Sequence, residues 1–177
     1  YHWSHMELSM YFGIDEFLNE ESAEGIWEKA NSFIKENKLS PRKLINQSNV
    51  TYIATTDDII DDLKYHEKIA EDKSFEVTVA PSFRTDNLLL VKRDGYLDYI
   101  KTLSEISEIE IDSITALKSA VIDRLDYFVD HGCKCSDVGI PTFPDAIADD
   151  VSADKVFKKV LNGEEITDSE YKAFLGN

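Results

Sequence analysis

The chain has 177 residues, 42% of them hydrophobic, with 19 Lys and Arg against 35 Asp and Glu for a formal net charge of −16. That length supports a domain with a real core, and the hydrophobic content excludes disorder as the default state. The acidic balance repels phosphate backbones and anionic lipids, which excludes nucleic acid and membrane surfaces as partners, and no apolar run approaches the roughly 18 residues of a membrane span.

The chain opens on Tyr1–His2–Trp3, inside an aromatic and histidine cluster and without an initiator Met, and is expected to be a piece of a longer protein. Ser4 is placed to cap a short helix through Tyr11, with Gly13 as its stop. Ser22 is expected to cap a second helix, in which Ile26, Trp27, Ala30, Phe33 and Ile34 recur as one apolar stripe. Ser40–Pro41 pairs an N-cap with proline at the first helical position and launches a third helix through Leu44 and Ile45. Residues 1–48 thus read as a helical subdomain.

Val50 to Thr55 is β-branched and apolar and reads as a buried strand. A helix is expected from about Ile59 to Asp72, bearing Ile60, Leu63, Ile69 and Ala70. Phe75–Ala80 reads as a second strand ended by Pro81, followed by a loop from Ser82 to Asn87. Tyr96 to Ser107 is helical, with Leu97, Ile100 and Leu103 in register. A longer helix runs from about Ser113 to His131, with Ile114, Leu117, Val121, Leu125 and Phe128 as its buried stripe and Gly132 as a left-handed stop. Cys133–Asp137 reads as a third short strand. Strand, helix, strand, helices, strand implies right-handed crossovers and a parallel sheet, so residues 49–139 form an α/β unit. Residues 140–177 are expected to be a proline-bearing loop up to Asp150, then two small helices capped by Ser152 and Thr167.

Thr55–Thr56–Asp57–Asp58 lies at the carboxyl end of the first strand, where α/β proteins place their chemistry. Its carboxylates could bind metal or substrate hydroxyls. The residues alone favour a plainer reading, in which Asp57 or Asp58 caps the following helix. Arg84 offers a bidentate fork for a substrate carboxylate, or an ion pair with Asp86; the spacing leaves both open. His2 and His5 suit packing or capping, since no third ligand lies near. His66 reads as solvated and His131 as a partner for a helix terminus. Cys133 and Cys135 should share a strand face as small buried hydrophobes. Two cysteines make no disulfide framework, so a reducing, cytoplasmic compartment is expected. Asp61–Asp62 and Asp149–Asp150 read as solvated faces.

Five blocks together resemble one family. They are Tyr1–His2–Trp3–Ser4–His5–Met6–Glu7–Leu8 with Tyr11–Phe12–Gly13–Ile14; Ala23–Glu24–Gly25–Ile26–Trp27; Thr55–Thr56–Asp57–Asp58 with Asp61 to His66; Ser82–Phe83–Arg84–Thr85–Asp86; and His131–Gly132–Cys133–Lys134–Cys135–Ser136–Asp137. Their order and spacing are similar to those of uronate (glucuronate) isomerase, a family of the amidohydrolase superfamily. The resemblance implies part of a (β/α)8 barrel, about three parallel strands with crossover helices. It implies interconversion of D-glucuronate with D-fructuronate, and of D-galacturonate with D-tagaturonate. It implies a divalent metal, zinc by expectation, whose ligands lie outside these 177 residues, so that the chain alone is expected to be inactive. It carries Arg84 over as the substrate-binding arginine, and Thr56, Asp57, Asp58, Asp86 and Asp137 as near-site candidates. The expected partners are a hexuronate sugar acid and, through open sheet edges, further copies of the chain in a homo-oligomer.

The chain also departs from the family pattern. Ser9 and Met10 stand where two arginines are usual, Ile59 and Thr85 where prolines are, and Val138 where a histidine follows Ser-Asp. The last change takes a polar group from the barrel mouth and points to a divergent substrate preference. The alternative class is a non-catalytic binding or interaction module of the same descent, and an intact metal site separates the two.

Overall fold

The computed structural model describes residues 2–144 and 147–177. Three helices come first: α1 (His2–Phe12), α2 (Ala23–Glu36) and α3 (Pro41–Gln47). Then follow β1 (Tyr52–Asp58), α4 (Lys64–Glu71), β2 (Thr78–Arg84), α5 (Asp86–Leu89), α6 (Tyr96–Ser107), α7 (Ile114–Asp130), β3 (Ser136–Asp137), α8 (Asp150–Leu161) and α9 (Asp168–Leu175). The strands form one sheet in the order β1-β2-β3. Phe83 pairs with Ser136 and Arg84 with Asp137 in parallel. Thr78 N donates to Thr51 O at 3.1 Å, and further along Thr55 Oγ1 lies 3.3 Å from Ala80 O, so β1 also runs with β2. This is the expected α/β class, an open parallel sheet with helical crossovers.

The chain divides into two compact units. One holds the residues up to Ile53 together with Lys73–Thr78; the other holds Ala54–Asp72 with Val79–Asn177. In the first unit α1 is already under way at His2, so Ser4 lies inside the helix rather than capping it. Gly13 turns the chain at φ 67°. Ser22 precedes α2 but makes no cap bond; its hydroxyl accepts from Asn19 N at 2.9 Å and donates to Phe17 O at 2.6 Å, closing the preceding turn. Ile26 is the buried residue of α2, while Trp27 is 71% exposed, because adjacent residues lie 100° apart on a helix. Ser40 does cap α3, accepting from Lys43 N ahead of Pro41.

The second unit holds the larger core. Ile59, Leu63, Phe83, Leu103, Ala120, Phe128 and Phe157 are buried together, and Phe83 meets Phe128 edge-on at 5.2 Å. Each such side chain contributes about 1.5–3 kcal/mol when fully buried. α6 has the expected span, with Ile100 and Leu103 buried and Leu97 turned outward. Ser113 caps α7 through Ala116 N at 3.3 Å. The buried stripe of α7 follows Ile114, Leu117, Ala120, Arg124 and Phe128, so Arg124 takes the position expected of Leu125. Gly132 ends the helix segment at φ 88°.

Four expectations are corrected here. β1 runs on to Asp58 and α4 starts only at Lys64, so neither Asp57 nor Asp58 caps a helix. Asp58, Asp61 and Asp62 instead draw in the main-chain N–H groups of Ile60 (3.1 Å), Leu63 (2.8 Å) and Lys64 (3.2 Å), which is the competition short acidic side chains offer to a helix start. Pro81 sits inside β2 rather than ending it. In a parallel strand alternate residues face the same neighbour; Phe83 N bonds Cys135 O, so the missing N–H of Pro81 faces β3 before that pairing begins. β3 is two residues long, so Cys133 is buried and Cys135 exposed instead of sharing a face. Asp149, not Ser152, caps α8, accepting from Ser152 N at 2.8 Å. The described residues from 140 to 149 carry no helix or strand, and Asp145 and Ala146 of that expected loop lie outside the described residues. Among the described residues no helix is long and apolar enough to cross a membrane.

Thr167 caps α9 as expected, in a reciprocal capping box with Glu170. The Lys159 ammonium and then the Thr167 main chain and hydroxyl hold the Glu170 carboxyl down at about 2. A depressed carboxyl stabilises the folded form fully above its unfolded value and loses that stabilisation as pH falls through the folded one. Amide exchange in α9 is therefore expected to quicken as pH drops from about 4.5 towards 2, after correction for the intrinsic rate, and Glu170→Gln is expected to flatten that response.

Candidate functional site

The carboxyl ends of the three strands bring the predicted residues together. β1 delivers Thr55–Asp58, β2 delivers Ser82 and Arg84, and β3 delivers Asp137. Ser82 binds the strands to one another: its hydroxyl donates to Thr55 O and lies 3.5 Å from Asp137 Oδ1. Sequence reasoning missed Ser82 because Pro81 was read as the end of the strand.

Arg84 lies 39% exposed at the end of β2. Its Nε and Nη2 donate to Asp137 Oδ2 at 2.9 and 2.5 Å, and Nε lies 3.4 Å from Asp86 Oδ2. Both carboxylates thus lie along the edge of the guanidinium that carries Nε. Asp86 opens α5 and accepts Gly139 N on Oδ1 at 3.2 Å. A Cβ at Gly139 would stand 2.7 Å from that oxygen, so a larger residue there would make the Asp86 carboxylate shift. The neighbouring Asn87 reaches the other way, donating to Asp58 Oδ2 at 2.7 Å and accepting from Arg93 at 2.9 Å.

Asp58 is held by three donors: Asn87 on one oxygen, Tyr99 Oη (2.8 Å) and Ile60 N (3.1 Å) on the other. Burial first, and then the charge of Asp58, pushes the Tyr99 phenol far up, so it remains a donor. Thr56 is exposed on the strand.

His66 is not solvated. Its side chain and that of Asp57 are each 11% exposed, and His66 Nε2 lies 2.7 Å from Thr55 Oγ1 and 3.7 Å from Asp57 Oδ1. Thr55 Oγ1 also meets Asp57 Oδ2 at 2.6 Å. A hydroxyl has one proton, and the carboxylate is the strongest acceptor beside it. Thr55 therefore donates to Asp57 and accepts from His66 Nε2–H, on the far side of the ring from His66 Nδ1. That atom is buried and has no hydrogen-bond partner among the described residues. Both partners lie on the Nε2 side, so the group is not a nucleophile–base–acid relay, which needs both ring nitrogens. No motif in the sequence links Thr55 to His66; the pairing depends on how α4 returns beside β1.

Elsewhere, His5 Nε2 accepts Leu18 N at 2.8 Å, the packing and capping role expected of it. His131 bonds Tyr127 O through Nδ1 at 2.8 Å and Glu67 through Nε2 at 3.1 Å. Asp61 and Asp62 are exposed, as expected, and their carboxylates also accept the main-chain N–H groups of Leu63 and Lys64. Asp150 pairs with Lys118 and Asn177.

Among the described residues no three His, Cys, Asp or Glu side chains gather at metal-holding distance. The oxygens of Asp57, Asp58 and Asp137 are occupied by hydroxyl, amide and guanidinium donors that a cation would have to displace. These residues do not fit a metal centre. A cleft of about 730 Å³ between residues 91–98 and 160–166 includes none of the candidates.

Replacing Tyr99 by Phe leaves Asp58 Oδ1 short of a donor in a half-buried place. A loss of about 1–2 kcal/mol is expected from urea denaturation, with no change in m-value.

Residues 1–176 match the glucuronate isomerase family. The uronate isomerase of Clostridium perfringens is 44% identical over 172 residues, covering 96% of this chain and 36% of that protein. That of Caldicellulosiruptor bescii is 44% identical over 176 residues, covering 98% of this chain and 37% of that protein. The crystal structure of uronate isomerase from Thermotoga maritima superposes with a TM-score of 0.86 at 30% identity, covering 98% of this chain and 39% of that one. The chain spans little more than a third of the length of these relatives. Its sequence and its three-stranded α/β architecture place it among them: the chain belongs to the glucuronate isomerase family.

Proposed function

We propose that this chain is the middle portion of a cytoplasmic uronate isomerase that interconverts D-glucuronate with D-fructuronate and D-galacturonate with D-tagaturonate. The match over residues 1–176 is the observation that carries this reading. In it residues 1–48 are a helical subdomain, 49–139 the barrel units and 140–177 a loop with small helices. The reaction is an aldose–ketose isomerisation that moves a proton between C2 and C1 of the open-chain sugar acid. The divalent metal of the parent, zinc by expectation, takes its ligands from outside these residues in this reading.

Arg84 binds the substrate carboxylate in this reading. A chain of net charge −16 repels an anionic sugar acid, so a guanidinium at the strand ends is needed to receive it. Asp137 and Asp86 hold one edge of Arg84, which fixes the fork and leaves Nη1 for the substrate. Thr56, Asp57, Asp58, Asp86 and Asp137 form the surroundings of that contact. Val138, without the polar group usual after Ser-Asp, would shift the preference among uronates.

In the full-length enzyme, Arg84→Met is expected to lower kcat/KM on glucuronate by about 30- to 100-fold, the loss of a charged hydrogen-bond contact, with Arg84→Lys intermediate. A value within about twofold of wild type for Arg84→Met would remove Arg84 from the site. The 177-residue chain alone, supplied with zinc, is expected to give no fructuronate from glucuronate; turnover there would place the metal ligands within it.

A further inference from the structure

We propose that Arg124 is a positioning residue that sets the turn after β1, and through that turn the placement of Asp58 at the strand ends. Arg124 belongs to α7, far along the chain, and is 6% exposed. Its Nε donates to Ile59 O at 2.8 Å and its Nη2 to Asp61 O at 2.9 Å. Its guanidinium lies 4.1 Å from the ring centroid of Tyr127, whose hydroxyl donates to Asp62 O at 2.7 Å. The described partners of this buried cation are thus main-chain carbonyls and ring faces. A guanidinium fork suits two carbonyls at fixed spacing, and a lysine ammonium, with its three donors on one nitrogen and no planar fork, does not.

The turn depends on side chains for both halves of its backbone. Its N–H groups at Ile60, Leu63 and Lys64 go to Asp58, Asp61 and Asp62, and its carbonyls at Ile59, Asp61 and Asp62 go to Arg124 and Tyr127. Ile59 is 0% and Leu63 1% exposed, so the carbonyls beside them cannot turn to water without exposing the core. Asp58 is shared between turn and site: the oxygen that accepts Ile60 N also accepts Tyr99 Oη. If Ile59 O and Asp61 O lose their donors, the turn rearranges, Ile60 N leaves, and Asp58 is held by Asn87 and Tyr99 alone. Arg124 therefore acts on the candidate site through the turn, without touching it.

The test compares wild type with Arg124→Lys and Arg124→Met by amide hydrogen exchange on the chain. The proposal expects exchange at Ile60–Lys64 to quicken by about tenfold or more in both variants, with α6 and α9 unchanged. Unchanged exchange in that segment, equal acceleration throughout the chain, or restoration by Lys would overturn it. Should Arg124→Met fail to fold, Tyr127→Phe removes only the donor to Asp62 O; the proposal then expects a smaller acceleration confined to the same segment, and none overturns it. The second arm rests on the isomerase reading. In the full-length enzyme kcat should fall by about tenfold in both Arg124 variants, with KM within about threefold of wild type because Arg84 is untouched. Wild-type enzyme without uronate turnover would defeat the isomerase reading, and the exchange result alone would then decide the role of Arg124.

Discussion

Burying Ile59 and Leu63 is the constraint on which this end of the protein depends. Both side chains lie in the main core, and each contributes about 1.5–3 kcal/mol by leaving water. They sit in a turn rich in aspartate, so their burial carries polar backbone inward with them. An unpaired buried carbonyl costs about 1–3 kcal/mol, enough to cancel the gain. Besides the main-chain bond from Asp61 N to Asp58 O at 2.9 Å, the turn relies on donors from α7 and acceptors from its own aspartates. Leu63 also adopts φ 50°, which keeps α4 from beginning any earlier.

That dependence explains what was legible in the sequence. The span of α6, the Ser113 cap, the Gly132 stop, the Ser40–Pro41 start and the Thr167 cap all rest on signals within a few residues, and each was readable. The β1–α4 boundary was not, because Asp58, Asp61 and Asp62 mimic a helix start while bonding backbone that a helix would need. Pro81 misled for a related reason: its missing donor matters only where a neighbouring strand asks for it. Arg84, Asp86 and Asp137 were legible as candidates through the resemblance, and their contacts follow from parallel pairing at β2 and β3. Ser82, Tyr99, His66 and Arg124 were not, since nothing short-range marks a partner tens of residues away.

The electrostatics of the strand ends are those of a restrained cation. Arg84 sits between Asp137 and Asp86, and the second of these is itself tied to Gly139. Two anions beside one guanidinium reduce its reach into solvent and fix its plane. Any third carboxylate must approach along the remaining edge, which turns a general attraction into a directional one. The same arrangement ties β2, α5 and the segment after β3 into one hydrogen-bonded unit.

The distances along the chain between these partners bear on how the fold is reached. Arg84 and Asp137 are separated by 53 positions, Arg124 and Ile59 by 65. Helices α6, α7, α8 and α9 pack on their neighbours in sequence order. Loop closure must precede every contact at the strand ends, and its entropic cost is met before those contacts return anything. Contacts of still longer range, Lys92 with Asp168 over 76 positions and Tyr171 with Leu89 over 82, fasten α9 to the segment after β2, so the strand ends share this topological cost with the helical layer.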